Sequence, residues 1–320
     1  MRKKQLMLWR IFSQHKSSRD LGNDKMKKCL FILNPRSGKG QVKPYLADII
    51  DTMVKGGYET TVYTTQAAGD AIQKARNAVE SYDRIICSGG DGTLDEVVTG
   101  VMQADKKVPI GYIPAGSTND FGNSLGIDKD VLRAADIAVN GKKFPCDIGL
   151  FNDDYFVYVA AFGIFTEVSY STSQEMKNML GHTAYILEGI KQLRDIPSFR
   201  MQVEYDGNVV YDEFIFGMIT NSKSVGGFKG IISGDVGLND GVFEVTLIKT
   251  PRNPIEFNEI IGFLTGVVKD TMMVYSFQTS RMKLTSNEEV PWTLDGEYGG
   301  DHQTVTVVNE QHALEIMVEP

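Results

Sequence analysis

The chain has 320 residues, of which 42% are hydrophobic and 23% are charged, and its formal net charge is −8 at pH 7. This is the composition of a globular protein with room for two domains and a large core. The acidic balance argues against nucleic acid as the main partner, because binding a phosphate backbone requires a basic surface. Cys29, Cys87 and Cys146 show neither metal-ligand spacing nor a disulfide pattern, so a reducing cytoplasm is expected.

Positive charge is concentrated at the N-terminus. Residues 1–28 carry nine Lys or Arg and two Asp, a net charge of +7. Because the whole chain has a net charge of −8, the remaining residues carry −15. The segment Leu6–Phe12 could lie on an anionic membrane as a basic amphipathic anchor. The alternative is that residues 1–25 form a basic, disordered leader upstream of a true start at Met26. No apolar run in the sequence approaches the roughly 20 residues that span a bilayer.

The first half of the chain repeats a strand, a loop and a helix. The hydrophobic pattern predicts strands at residues 28–33, 59–64, 85–88 and 108–113. It predicts helices at 42–55, at 67–80, from about Thr93 onward, and at 131–139, the last closed by Gly141 as a C′ residue. Repeated βα units predict a parallel sheet with helices on both faces. Ligands of such sheets bind at the carboxyl ends of the strands, where these loops lie.

Two glycine-bearing loops at these strand ends are candidate phosphate sites. The first is Asn34-Pro35-Arg36-Ser37-Gly38; its spacing is wrong for a Walker A loop, but backbone N–H groups and Arg36 could hold phosphate. The second, Gly89-Gly90-Asp91-Gly92-Thr93, opens a helix whose free N–H groups attract anions. Asp91 within it indicates an accompanying metal or water network. Each loop could instead be a simple turn.

From about residue 143 the pattern changes to strands. These are predicted at 147–150, 155–162, 199–205, 208–220, 241–249, 274–277 and 281–285, with helices at 173–193 and 254–268. The expected domains are therefore 26–146, of α/β type, and 147–306, an antiparallel β-sandwich or barrel. A final strand is predicted at 312–318 and could return to either domain; the segment 307–320 that contains it could thus belong to the first domain.

Three stretches of the second half could carry chemistry. In Gly237–Gly241 the Asp240 carboxylate, backbone carbonyls and water could hold Mg²⁺, although an Asp-Gly hairpin turn is the simpler interpretation. In Leu294–Gly300, Glu297 could act as a general base, or the stretch could again be only a turn. The apolar, flexible Val225–Phe228 could flank a lipid. His182 and the other histidines show no ligand spacing.

In this order, the motifs resemble those of the bacterial soluble diacylglycerol kinase family, whose catalytic domain is related to that of sphingosine kinases. The resemblance runs from about residue 26 to the end. It rests on Asn34–Gly38, Gly89–Thr93, Pro114–Phe121, Leu238–Gly241 and Leu294–Tyr298. The glycine-rich motif alone also occurs in NAD kinases and phosphofructokinase relatives, but the ordered set with the late Asp-Gly-Glu is typical of lipid kinases. The basic N-terminal extension lies outside the usual pattern.

The resemblance implies an ATP cleft between a Rossmann-like lobe with a parallel sheet and an antiparallel β-sandwich-like domain. It implies Glu297 as the base, a structural Mg²⁺ held by Gly237, Asp240 and Val242, and an aspartate–water–metal network that includes Asp91 and Asp120. Position 117 is serine where some relatives carry threonine, and the hydroxyl is kept. The implied nucleotide contacts are Asn34, Pro35, Arg36, Ser37, Gly38, Thr65, Gly90, Asp91, Gly92, Thr93, Leu94, Asp95, Glu96 and Ser117.

The resulting expectation is a cytoplasmic, ATP- and Mg²⁺-dependent lipid kinase at the inner face of the membrane. Its expected reaction converts diacylglycerol to phosphatidic acid. Alternatives within enzymes are a kinase for phosphatidylglycerol or a sphingoid base and, more distantly, an NAD kinase. An alternative of another class is a non-catalytic, nucleotide-binding membrane regulator. A homodimer is left open.

Overall fold

A computed structural model of the protein describes residues 26–164, 166, 196–223 and 236–320. The N-terminal part is built on four parallel strands: β1 (Lys27–Leu33), β2 (Tyr58–Thr64), β3 (Arg84–Gly89) and β4 (Ile110–Pro114). Their order in the sheet is β2-β1-β3-β4. All residues of β3 and β4 are buried, which explains their nearly continuous apolar runs. The edge strand β2 is largely exposed and alternates instead.

Five helices connect and cover these strands. They are α1 (Leu46–Lys55), α2 (Asp70–Ala78), α3 (Asp91–Met102), α4 (Asp120–Ser124) and α5 (Val131–Asn140). The chain moves outward from β1 to β2 and then turns back across β1 to β3, so right-handed crossovers place α1 on one face and α2 with α3 on the other. Accordingly α2 packs on α3, and α1 packs on α5.

Three of these helices begin at other residues than the sequence pattern predicts. The helix expected from residue 42 starts at Leu46, after 3-10 turns at Ser37–Gly40 and Lys43–Tyr45, the second of which contains Pro44. Helix α2 starts at Asp70 instead of residue 67, since Gly69 has a φ of +81°. Helix α3 starts at Asp91 instead of about Thr93, with extended Gly90 as its N-cap.

Gly141 ends α5, but not as the left-handed C′ residue that was predicted. Its φ is −63° and its ψ is 176°, which is extended backbone. A glycine is needed there for space: a Cβ would lie 2.3 Å from the Val318 carbonyl oxygen and 2.5 Å from that of Ile137. The residue therefore lets the last strand of the chain pass close to the end of α5.

The C-terminal part is mainly antiparallel. Its elements are β5 (Lys142–Phe151), β6 (Asp154–Phe156), β7 (Val159–Gly163), β8 (Phe199–Tyr205), β9 (Asn208–Thr220), β10 (Phe243–Lys249), α6 (Pro254–Leu264), β11 (Val274–Thr279), β12 (Arg281–Leu294) and β13 (Glu297–Val318). The strand expected at 155–162 is split into β6 and β7, and the one expected at 281–285 continues to Leu294. Trp292, Phe151 and Phe162 form the aromatic centre of this part's own core, with ring centroids 4.8–5.0 Å apart.

Strand β13 joins the two parts. Its Ile316 pairs in parallel with Ile110 of β4, while most of β13 pairs antiparallel with β12 and β5. The strands consequently form one mixed, 13-stranded sheet, and a separate Rossmann-like sheet is not what the structure shows. The domain boundary expected near residue 146 falls inside β5. Cys29, Cys87 and Cys146 are buried and free.

Several predictions lie outside the described residues. They are the basic leader 1–25, the helix at 173–193 with His182, and the apolar stretch Val225–Phe228. Among the residues that the structure describes, no helix is long and apolar enough to cross a membrane.

Candidate active site

A cavity of about 540 Å³ opens where β1, β2 and β3 end. Three loops of the N-terminal part and one residue of the C-terminal part enclose it. The lining residues are Asn34, Arg36, Ser37, Thr65, Gln66, Ala67, Ala68, Gly90, Gly92, Thr93, Asp95, Glu96 and Glu297. Parallel strands bring their carboxyl ends to one edge, which is why residues far apart in sequence meet here.

The loop after β1 is tied to the start of α3 by side chains. The Asn34 amide donates to Thr93 Oγ1 at 3.1 Å, and the backbone N–H of Gly90 donates to Ser37 Oγ at 3.1 Å. Gly38 has a φ of +52°, and a Cβ there would lie 2.0 Å from the Ala115 carbonyl oxygen. The glycine thus permits this loop to press against the loop after β4. Together these contacts fix Arg36 at the mouth of the cavity.

The N-terminus of α3 faces the cavity through Gly90, Gly92 and Thr93. A helix start carries partial positive charge and free N–H groups, so this wall is suited to phosphate. A Cβ on Gly92 would lie 3.8 Å from Glu297 Oε1. The carboxylate of Glu297 therefore lies opposite the helix start.

The half-buried Asp91 and the buried Asp120 form an acidic pair behind this wall. The Phe121 backbone N–H donates to Asp91 Oδ1 at 3.4 Å. Burial and, next to it, the negative charge of Asp120 raise the pKa of the Asp91 carboxyl to about 6. A cation at this point would offset the repulsion between the two carboxylates.

Glu297 is carried by the tight turn between β12 and β13. Leu294 pairs with Glu297 across the turn, and the two central residues, Asp295 and Gly296, have φ angles of +51° and +86°. Positive φ at both central positions is the geometry of a type I′ hairpin turn. Asp295 is 5% exposed, and its carboxylate accepts hydrogen bonds from the backbone of 157–159.

The turn predicted to bind Mg²⁺ lies in another part of the C-terminal half. Asp240 is exposed, and its Oδ1 accepts from the Val242 backbone N–H at 3.2 Å. A Cβ on Gly237 would lie 2.4 Å from Asp240 Oδ2, so the carboxylate folds over the turn that also carries Val242. The fully buried Asp147 fixes this turn, because its two oxygens accept from the Gly241 and His312 N–H groups at 2.7 and 2.8 Å.

Comparison with known proteins gives the family. Residues 28–151 match the model of the diacylglycerol kinase catalytic domain, and residues 159–318 match that of the YegS C-terminal NAD kinase beta sandwich-like domain. The chain is 39% identical over 279 residues to the diacylglycerol kinase of Bacillus subtilis (strain 168), covering 86% of this chain and 91% of that one. The chain belongs to the diacylglycerol kinase family.

Two further members show how far the likeness extends. The diacylglycerol kinase of Staphylococcus carnosus (strain TM300) is 36% identical over 277 residues, which is 86% of this chain and 90% of that one. A crystal structure of a diacylglycerol kinase from Bacillus anthracis str. Sterne superposes with a TM-score of 0.73 at 22% identity, over 92% of this chain and 98% of that one. The fold is thus shared along almost the whole length.

In this member of the diacylglycerol kinase family, most of the predicted nucleotide residues line the cavity, but five do not. Pro35, Gly38, Asp91, Leu94 and Ser117 are absent from its walls. Leu94 is 1% exposed and belongs to the core, so only its backbone could contribute, and its N–H donates to the Gly90 carbonyl.

Sequence reasoning missed several residues that shape the site. Gln66, Ala67 and Ala68 line the cavity because α2 begins three residues later than expected. The signal that could have found them is Gly69 next to Asp70, a typical helix start. Asp147 and Asp295 act on backbone groups far away in sequence, and no local pattern marks them.

Glu96 lines the cavity, but its carboxylate is hydrogen-bonded to backbone N–H groups at the start of α2. This predicts that Glu96 supports the wall of the diacylglycerol kinase site. Its two oxygens accept from Gly69 N–H at 2.9 Å and Ala71 N–H at 3.0 Å, so it caps α2. Glu96→Ala should cost ~1–2 kcal/mol, as loss of a helix cap does. It should also raise KM for the nucleotide, because the 65–68 wall loosens.

Urea unfolding and steady-state kinetics check this prediction. Glu80→Ala, an exposed site just after α2, is the control and should change neither quantity. An unaltered urea midpoint for Glu96→Ala would show that the cap contributes nothing.

Proposed function

We propose that the chain is an ATP-dependent lipid kinase that phosphorylates the free hydroxyl of diacylglycerol to give phosphatidic acid. One observation carries the proposal: a single cavity joins phosphate-type loops of the first domain to a carboxylate, Glu297, from the second. Membership in the diacylglycerol kinase family supports the choice of reaction and of lipid. The proposal divides the chain into a nucleotide-binding domain, 26–146, and a β-rich domain, 147–306, that supplies the base.

In this proposal the nucleotide phosphates lie against the start of α3. The helix dipole, the backbone N–H groups of Asp91 and Gly92 and the Arg36 guanidinium offset the phosphate charge. Thr65 and the 66–68 loop form the opposite wall. The loop that contains Ser117 closes the site from the β4 side, where a Cβ on Gly116 would lie 2.6 Å from the Gly90 Cα atom.

The proposed chemical step is an in-line displacement. The lipid hydroxyl oxygen forms a bond to the γ-phosphorus, the bond from that phosphorus to the bridging oxygen breaks, and ADP leaves with the electron pair. Glu297 accepts the hydroxyl proton as the new bond forms. Such transfers depend on positioning and on charge stabilisation more than on covalent catalysis.

The Asp240 turn supports a structural Mg²⁺ in this proposal. Its donors are one exposed carboxylate and backbone carbonyls, such as those of Gly237 and Val242, and Mg²⁺ prefers few carboxylates together with several other oxygens. Over residues 26–164, 166, 196–223 and 236–320, no group of three or more His, Cys, Asp or Glu has metal-binding geometry. The proposed Mg²⁺ site at the Asp240 turn therefore relies on one carboxylate and on backbone carbonyls. When bound, the ion would supply positive charge beside the turn.

Asp240→Ala should remove most of the Mg²⁺-dependent rise in melting temperature and lower activity. A ligand that binds only the folded state stabilises it by mass action, so the wild type should melt ~2–4 °C higher in saturating Mg²⁺. Thermal unfolding with EDTA and with Mg²⁺ measures this. Asp136→Ala, exposed on α5, is the control. A full Mg²⁺ response in Asp240→Ala would place the ion elsewhere.

The lipid specificity is tested by phosphate transfer from radiolabelled ATP in mixed micelles. The panel contains diacylglycerol, phosphatidylglycerol, ceramide, sphingosine and, as a soluble control, NAD. Label in phosphatidic acid alone is the expected result. Label on another lipid would keep the mechanism and change the substrate, and label on nothing would favour a non-catalytic regulator. Binding to vesicles with and without residues 1–25 tests the proposed peripheral membrane association and its basic anchor.

A further inference from the structure

Two carboxyl groups from different domains face each other within hydrogen-bonding reach beside the cavity. Asp95 lies on α3, one turn after Asp91, and Asp295 lies in the turn between β12 and β13. The side chain of Asp95 also lines the cavity. Two ionised carboxylates in contact repel each other strongly, whereas a carboxylic acid and a carboxylate form a good hydrogen bond.

The surroundings show which group carries the proton. Asp295 accepts backbone N–H groups of Val157 at 2.5 Å, of Tyr158 at 2.9 Å and of Val159 at 2.9 Å. Burial raises the pKa of Asp295 to about 6, and these three donors oppose the rise because they stabilise an ionised carboxylate. Asp95 has no comparable set: its Oδ1 is closed to solvent and has no hydrogen-bond partner among the residues that the structure describes. An ionised Asp95 would be costly there, so Asp95 is the acid that donates to Asp295.

We propose that Asp95 and Asp295 share one proton, and that this bond is a positioning device that holds the turn bearing Glu297 against α3. Three backbone N–H groups hold the Asp295 side chain, and its own N–H donates to the Val159 carbonyl at 2.8 Å. Glu297 follows two residues later, across a two-residue turn with little freedom. The role for catalysis rests on the proposed function, in which Glu297 is the base; the shared proton does not.

The charges around the pair agree with this assignment. Burial raises the pKa of Asp95 well above its usual range, and the contact with Asp295 raises it further. The other groups that act on Asp95 are also acidic, namely Asp154 and Glu96. The ionisable groups of Tyr158 and Asp91 face Asp295 from the adjoining elements, and Asp120 acts on both of them. Raising the pH therefore adds negative charge to a site that already has an excess of it.

The direction of the pH effect on stability follows from linkage. A carboxyl whose pKa is higher in the folded state than the unfolded value of about 4 binds a proton on folding. Its contribution to stability is complete below that value and is lost as the pH rises toward the folded pKa. An asparagine at position 95 donates a hydrogen bond without a titratable proton, so it should remove this part of the pH dependence.

The test compares Asp95→Asn and Asp95→Ala with the wild type. Loss of the bond in Asp95→Ala should lower kcat by about 10- to 100-fold, because a base displaced by about 1 Å is inefficient. The kcat of Asp95→Asn should be at least about tenfold higher than that of Asp95→Ala, since the amide N–H of asparagine donates to Asp295 in place of the acid. Asp105→Asn, an exposed carboxyl-to-amide change in the turn after α3, is the matched control.

Thermal unfolding between pH 5 and pH 8 gives a readout that does not depend on activity. From pH 5 to pH 8, the melting temperature of Asp95→Asn relative to that of the wild type should rise by ~2 °C or more. The melting temperature of Asp105→Asn should change with pH as that of the wild type does. Parallel curves for Asp95→Asn would overturn the shared proton. An Asp95→Asn enzyme as slow as Asp95→Ala would overturn the positioning role. If the wild type phosphorylates no lipid, the proposed function fails, and the melting curves still decide the shared proton.

Discussion

Replacing Glu297 with glutamine is expected to lower kcat by about 10²–10⁴-fold, the usual effect of removing a general base. Glutamine keeps the size of the side chain and its place opposite Gly92, but it cannot accept the hydroxyl proton. Because Glu297 is only one of the residues that line the cavity, the affinity of the variant for ATP should stay near that of the wild type. The loss should therefore appear in kcat rather than in KM for ATP.

Lipid phosphorylation under saturating ATP, together with ATP binding by calorimetry, separates the two effects. Glu288→Gln is the matched control, because Glu288 is an exposed glutamate in the irregular part of β12 and should have wild-type kinetics. A Glu297→Gln enzyme that retains activity would remove Glu297 from the role of base. Equal losses in ATP affinity and in turnover would indicate damage to the nucleotide site instead.

The part of the fold with local signals could be predicted from the sequence. Buried strands β3 and β4 consist of apolar runs, and each is followed by a glycine-rich loop, so the parallel βα arrangement and the meeting of the loops at one edge follow from simple rules. Strand β9 was predicted with the same limits, 208–220, as the structure gives.

Features that depend on distant contacts could not be predicted. The limits of β12 and β13 extend well beyond the predicted strands, since pairing with β5, β7 and β8 stabilises residues that have no strand pattern of their own. The same holds for the acid pair, because 200 residues separate Asp95 from Asp295. A local pattern could show two aspartates, but not that they share one environment.

Asp147→Ala is the second change with a large expected effect. Asp147 is completely buried, and its carboxylate accepts one hydrogen bond from the Asp240 turn, at Gly241, and one from β13, at His312. Removing it leaves two N–H groups without partners, and hydrogen bonds to a charged group are worth ~1.5–3 kcal/mol each. We expect a loss of ~3–5 kcal/mol in the free energy of unfolding.

Because the Asp147 carboxylate accepts two hydrogen bonds, different substitutions of Asp147 should lower the free energy of unfolding by different amounts. Asp147→Asn should lose less than Asp147→Ala, because its amide oxygen still accepts one N–H group while its amide nitrogen opposes the other. Asp105→Ala, at an exposed aspartate in the turn after α3, is the control and should be neutral. Urea unfolding with and without Mg²⁺ measures the series, and Asp147→Ala should also lose the Mg²⁺ response, because the Asp240 turn is no longer held in place. Full stability in Asp147→Ala would mean that water replaces the carboxylate, and a preserved Mg²⁺ response would mean that the turn keeps its shape without Asp147.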